Sequence, residues 1–194
     1  YLADKKIEAN IVEVGCIGLC AEEPLMDVQL PGKSRVSFKH VTEDKAERIL
    51  ESVFENEIPK EDALFQITSE KTAAAGDVTN IDDFPFFKYQ TRWVLKNCGK
   101  VNPESIDEYI ARGGFKGLAR ALRNITPKEL CDLVEESGLR GRGGGGFPAG
   151  KKWKFALNTP SETKYFVCNA DEGDPGAFMD RAVIEGDPYA LWKA

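Results

Sequence analysis

The chain has 194 residues, 26 Lys+Arg against 32 Asp+Glu for a formal net charge of −6, and an apolar fraction of 42%. That balance describes a folded globular chain of one or two domains and excludes an intrinsically disordered one. The acid excess is not interrupted by a basic block, which excludes the footprint of a nucleic-acid binder, and no apolar run approaches the ~20 residues of a membrane span.

The first ten residues, YLADKKIEAN, lack the apolar core of a signal peptide, so the chain reads as cytoplasmic. It starts at Tyr1 and stops at Ala194 without a capping signal, which leads to the expectation of a fragment of a longer protein. Five cysteines, an odd number with no export signal, argue against structural disulfides. Cys98, Cys131 and Cys168 stand singly and read as small buried hydrophobes, whereas Cys16 and Cys20 form a pair.

Ile7 to Val14 alternate weakly and predict a strand that runs into the glycine-containing segment from Gly15 to Cys20. Leu25 to Leu30 predict a second short strand, closed by the turn dipeptide at Pro31 and Gly32, and Ser34 to Phe38 a third. Thr42 reads as an N-cap, with Glu43 and Asp44 in the first turn and Ala46, Ile49, Leu50 and Val53 at helical spacing. Residues 1–55 therefore read as a small α/β unit of order β-β-β-α. Residues 56–83 lose the pattern and read as a linker.

From Phe84 apolar residues return. Asn102, Pro103 and Glu104 predict a helix start, ended by Gly113 and Gly114. Phe115, Leu118, Ala119 and Leu122 predict a second amphipathic helix. Thr126, Pro127 and Glu129 form a capping box that opens a third, stopped by Ser137 and Gly138.

Seven glycines then fall within the thirteen positions from Gly138 to Gly150. Glycine at that density costs conformational entropy, and it suits a backbone that must approach a ligand closely or offer consecutive N–H groups to an anion. Arg142, Lys151 and Lys152 add cations suited to a phosphate or pyrophosphate. Residues 141–146 fit G-x-G-x-x-G, but a helix rather than a strand precedes them. Residues 145–151 fit G-x-x-x-x-G-K, but Lys152 stands where a P-loop needs Ser or Thr for magnesium, which argues against an ATP-dependent protein. A plain flexible linker fits poorly with the interspersed Arg, Phe and Pro.

Lys164 to Cys168 predict a buried strand, followed by the polar stretch from Asn169 to Gly176. Polar residues at the carboxyl end of a strand are where open α/β sheets bind ligands, and Asn and Asp suit sugar or ribityl hydroxyls; an acidic turn is the plainer reading. EF-hand spacing is absent, so calcium is not indicated. Cys16 and Cys20, as C-x3-C, suit an iron–sulfur cluster or zinc, but four ligands are normally needed and the only histidine is His40. A redox disulfide is the other reading of the pair.

The glycine loop, the segment from Asn169 to Phe178 and the run Asp180, Arg181, Glu185 to Pro188 resemble the NADH-binding flavoprotein family. That family comprises the flavin subunit of complex I and its relatives in NAD(P)-linked iron-only hydrogenases and formate dehydrogenases. The resemblance extends back through Lys88 to Gln90, Leu95 to Gly99 and Pro103 to Tyr109, and so covers residues 84–194. Residues 7–54 in turn resemble the C-terminal half of a thioredoxin-like [2Fe–2S] ferredoxin, a combination typical of the hydrogenase-type branch.

The resemblance implies an α/β chain in which a partial thioredoxin-like domain (1–55) and a linker (56–83) precede the first portion of an FMN/NADH-binding domain (84–194). It implies that Gly141, Arg142, Gly143 and Lys152 contact FMN and that Asn169, Asp171 and Glu172 hold its ribityl chain or ring edge. Phe147 and Phe155 would stack on the adenine of NADH, with Asp174 near the nicotinamide where the family more often has Glu. Cys16 and Cys20 would be half of the [2Fe–2S] site, with its other cysteines before Tyr1 and those of a [4Fe–4S] cluster beyond Ala194. The implied function is hydride transfer between NAD(P)H and FMN, with single electrons passed to iron–sulfur clusters and partner subunits; the present stretch alone would be inactive. A non-catalytic docking scaffold is the rival reading.

Overall fold

The computed structural model describes residues 1–192. Its sheet has three antiparallel strands in the order β1 (Met26–Val28), β2 (Arg35–Phe38) and β3 (Ala63–Ile67), with α1 (Glu43–Phe54) between β2 and β3 in sequence. The turn after β1 forms because Gly32 takes a φ of +74°, open to glycine without strain, and Lys33 N–H donates to the Leu30 carbonyl at 3.0 Å. Met26 then faces Phe38 and Val28 faces Val36. Thr42 occupies the N-cap of α1 in an extended conformation, although its side chain accepts no capping bond.

Val36 and Phe38 of β2 are buried against Ile49 and Val53 of α1, one helical turn apart. Each such side chain contributes about 1.5–3 kcal/mol on burial. A second cluster joins Leu64 and Phe65 of β3 to Leu19, Ile81 and Phe87. Phe65 meets Phe84 and Phe87 edge to face, with centroids 5.4 and 5.8 Å apart. Buried Ser34 donates to Gln66 Oε1 at 2.7 Å, and Gln66 Nε2 donates to the Val78 carbonyl at 2.5 Å, so the polar groups beside the sheet are paired.

The stretch expected to be a linker therefore carries β3 and the helical turn Ile81–Asp83, and it contributes to both apolar clusters. Ala63 to Ile67 is a short apolar run, which periodicity alone does not separate from coil. The order is β-β-α-β rather than β-β-β-α. Ile7 to Val14 form no strand, because no described segment lies beside them to share a hydrogen-bond ladder; Ile11 stands exposed.

The remaining elements are helices: α2 (Ile106–Ala111), α3 (Lys116–Asn124), α4 (Pro127–Glu136), α5 (Ala149–Asn158), α6 (Met179–Gly186) and α7 (Pro188–Leu191). The first begins a few residues after the expected start, because Asn102 caps a local turn through Glu104 N–H while Ser105 accepts from Glu108 N–H as the true N-cap. The Thr126–Glu129 capping box of α4 forms as expected. Helices α4 and α5 pack closely because Gly150 presents no side chain: a Cβ there would lie 2.4 Å from Glu135 N. Lys154 ties the pair together, bonded to Asp132 at 2.5 Å and to Glu135. No described helix is long and apolar enough to cross a membrane.

Candidate functional site

The cysteine segment is held by its apolar residue. Leu19 is buried in the second cluster, and Gly18 turns the chain at φ +90° so that its N–H donates to Cys16 Sγ at 3.2 Å. The Cys16 and Cys20 sulfurs thereby come to 3.5 Å. Two thiolates on one tetrahedral metal with bonds of about 2.3 Å sit roughly 3.8 Å apart, so the pair fits one metal ion. Glu23 adds a carboxylate within 4.8 Å of both sulfurs. Burial foremost pushes the Cys16 thiol up to about 12, with Glu23 and Cys20 acting in the same direction, so a metal ion must displace a firmly held proton.

Among the described residues no further cysteine joins this group: Cys98 and Cys131 are buried elsewhere and Cys168 is exposed. The pair fits half of a four-thiolate cluster and no more.

This loop sits on a seat cut to glycine dimensions. A Cβ on Gly15 would lie 2.7 Å from Gly186 N at the end of α6, and one on Gly99 would lie 2.3 Å from Ile17 Cγ2. Gly186 in turn faces Cys98 Sγ, where a Cβ would come within 2.9 Å. Nothing in the local pattern around Asn97 to Gly99 signals that they meet the cysteine loop; the contact is long-range.

The glycine loop runs from α4 to α5. Arg140 and Pro148 form an antiparallel bridge at its neck, where Gly141 N–H donates to the Phe147 carbonyl and Ala149 N–H to the Leu139 carbonyl, both at 2.9 Å. Arg140 also donates to the Gly146 carbonyl at 3.0 Å. Beyond the neck the tip is open: a Cβ on any glycine from Gly143 to Gly146 would meet nothing within 4 Å. Arg142, Lys151 and Lys152 are exposed, and among the described residues their side chains enter no hydrogen bond or ion pair. Phe147 and Phe155 come together at 6.3 Å between centroids, both largely exposed. An open glycine backbone beside unpaired cations fits a phosphate.

Lys164 to Cys168 run extended but form no strand. Tyr165, Phe166 and Val167 are exposed, since no described strand lies beside them to pair with. In the polar stretch that follows, Asn169 Oδ1 accepts from Asp171 N–H at 3.0 Å, an Asx turn. Glu172 accepts from the N–H groups of Asp180 and Arg181 at 2.9 and 3.1 Å, so it caps α6 with both oxygens, a role its sequence position did not announce. Asp171 and Asp174 are exposed. Among the described residues no hydrogen bond or ion pair joins this stretch to the glycine loop.

Residues 134–194, which hold the glycine loop, α5 and the acidic stretch, match the family described as the Nuo51 FMN-binding domain. The match bears out the resemblance drawn from the motifs, to the flavoprotein family of complex I and NAD(P)-linked hydrogenases. Among individual proteins, the chain is 59% identical over 107 residues to the NADP-reducing hydrogenase subunit HndC of Solidesulfovibrio fructosivorans, covering 55% of this chain and 21% of that one. It is 54% identical over 98 residues to an NADH-quinone oxidoreductase subunit of Aquifex aeolicus, covering 50% and 22%, and 40% identical over 100 residues to the corresponding NADH-quinone oxidoreductase subunit of Escherichia coli, covering 51% and 22%. The matched stretch is thus about a fifth of the length of these relatives.

Proposed function

We propose that the chain is the part of an NAD(P)H-oxidising flavoprotein subunit that begins the FMN site, in a soluble hydrogenase-type complex. The observation that carries this reading is the coincidence of the matched residues 134–194 with an open glycine loop flanked by unpaired cations. The relative named as an NADP-reducing hydrogenase subunit supports the hydrogenase branch. The antiparallel β1–β2 pair followed by α1, entered through a cysteine loop, supports a thioredoxin-like ferredoxin half.

In this reading Gly143 brings its backbone N–H to the FMN phosphate, Gly141, whose own N–H is bonded to the Phe147 carbonyl, holds the neck and leaves room for the ligand beside it, and Arg142 and Lys152 supply the counter-charge. Asn169 and Asp171 hold the ribityl chain or ring edge. Glu172 fixes the stretch by capping α6 and keeps a free lone pair on each oxygen for a ligand hydroxyl. Phe147 and Phe155 offer an apolar face to adenine, and Asp174 sits toward the nicotinamide. FMN, when bound, supplies the hydride acceptor that releases electrons singly. Cys16 and Cys20 supply two thiolates to a [2Fe–2S] cluster. Partner subunits carrying iron–sulfur clusters, a further [4Fe–4S] cluster in the same polypeptide and a cytoplasmic location complete the proposal.

The test is the visible spectrum of the full-length protein under anaerobic conditions, before and after NADH and, separately, NADPH. A flavin band that bleaches supports the reading and identifies the nucleotide. An intact protein without flavin overturns it in favour of a docking scaffold.

A further inference from the structure

Arg92 is the side chain that joins the cysteine loop to the chain following the sheet. Its guanidinium donates to the carbonyl of Ile17, which lies between the two cysteines, at 3.2 Å. The same group lies over the Phe87 ring, 5.0 Å from its centroid, and Phe87 is packed in the cluster that anchors Leu19. Arg92 is half-buried, and among the described residues its guanidinium forms no ion pair with a carboxylate. A guanidinium withdrawn from water needs an anion nearby. A negatively charged cluster on Cys16, the sequence neighbour of Ile17, would supply one.

We propose that Arg92 is the positioning and charge-compensating residue of the Cys16–Cys20 centre: it fixes the loop through the Ile17 carbonyl and stabilises the negative charge of a cluster held there. The inference rests on the reading that these cysteines hold half of a [2Fe–2S] cluster. By formal count such a cluster with four thiolates carries about −2 when oxidised and about −3 when reduced, so a neighbouring cation favours the reduced form. Cys98 is buried, and its Sγ donates to the Ala182 carbonyl at 3.5 Å, so it is committed as a packed thiol and is not the anion.

The experiment is an EPR-monitored redox titration of the anaerobically purified full-length protein, comparing wild type, R92M, R92K and C16S, with iron content measured on each. The expected result is a [2Fe–2S] signal that C16S abolishes and whose midpoint falls in R92M by about 59 mV, a tenfold change for a one-electron couple, while R92K stays near wild type. A wild-type midpoint in R92M overturns the inference and leaves the cluster reading standing. If R92M loses its cluster, R92K decides: retention supports the role, and loss there too shows that shape rather than charge holds the loop, overturning it. A wild-type protein without any signal sensitive to C16S overturns the cluster reading and the inference together.

Discussion

Asn97 donates from Nδ2 to Oδ2 of Asp187 at 2.8 Å, across 90 residues of sequence, and Asp187 Oδ1 is buried without a partner. Asp187 is 1% exposed, so that one bond carries the carboxylate's stabilisation among the described residues. It also fixes the neighbours of both residues, Cys98 and Gly186, which form the seat under the cysteine loop. Asn97→Ala strands a buried carboxylate and is expected to cost about 1.5–3 kcal/mol. Urea unfolding of the full-length protein measures it, and a loss near zero would show that the carboxylate has another donor.

Two glycines near the candidate FMN site answer differently to the same substitution. In Gly150→Ala the new Cβ meets the Glu135 backbone at 2.4–2.5 Å, contact that neither α4 nor α5 can relieve by rotating a side chain. Overpacking of this kind costs about 1–3 kcal/mol. Gly145→Ala meets nothing within 4 Å and lies outside the positive-φ glycines, so it is expected to leave stability unchanged or raise it by about 0.4–1 kcal/mol. Thermal unfolding of the two variants side by side checks the contrast.

What was legible in the sequence follows the range of the interaction that sets it. The Thr126 capping box, the Gly32 turn and the periodicity of Ile49 and Val53 are set within a few residues, and each stands where the pattern placed it. The strand β3 is not legible locally, because its burial depends on Leu19 and Phe87, distant partners that five residues of sequence do not advertise. Lys164 to Cys168 shows the converse: an apolar run has strand propensity but forms no strand where no neighbour pairs with it. The glycine loop was legible as an open backbone with cations. The Arg92 contact with Ile17 and the capping role of Glu172 were not, since both join residues whose proximity only the fold creates.

The α4–α5 ion pairs predict a pH dependence of known sign. Hydrogen bonds from Lys154 and then Lys128 hold the Asp132 carboxyl below its ordinary 3.8, so its contribution is present above that value and is lost as the pH falls through the lowered one. Bonds to Asp132 and Glu135 raise Lys154 above its ordinary 10.5, so its contribution is present below 10.5 and is lost as the pH rises past the elevated value. Asp27 runs the other way: burial, outweighing Ser37 and Arg35, raises its carboxyl, so its contribution declines as the pH climbs through that raised value. Lys154→Met is expected to lower the melting temperature at neutral pH, with the difference from wild type shrinking at about pH 2 and in high salt. A difference independent of both pH and salt would assign the effect to lost packing of the lysine stem.

The seat under the cysteine loop predicts a compensating pair. Gly99 has a φ of +75°, and an added Cβ would lie 2.3 Å from Ile17 Cγ2 but 3.7 Å from Ile17 Cβ. Gly99→Ala therefore meets two separate penalties: left-handed backbone strain of about 1–2 kcal/mol, and a clash with the residue between Cys16 and Cys20. Ile17→Ala removes Cγ2 and with it the clash, but leaves the strain untouched. The double variant is expected to be more stable than the sum of the single losses by about 0.5–3 kcal/mol, read from urea unfolding of the four proteins in a double-mutant cycle. Additive losses would mean that the loop already moves clear of Gly99 when that position is substituted. The iron content of the same four proteins reports whether the seat also sets the cluster site, because a loop displaced by the clash separates the two sulfurs that now lie 3.5 Å apart.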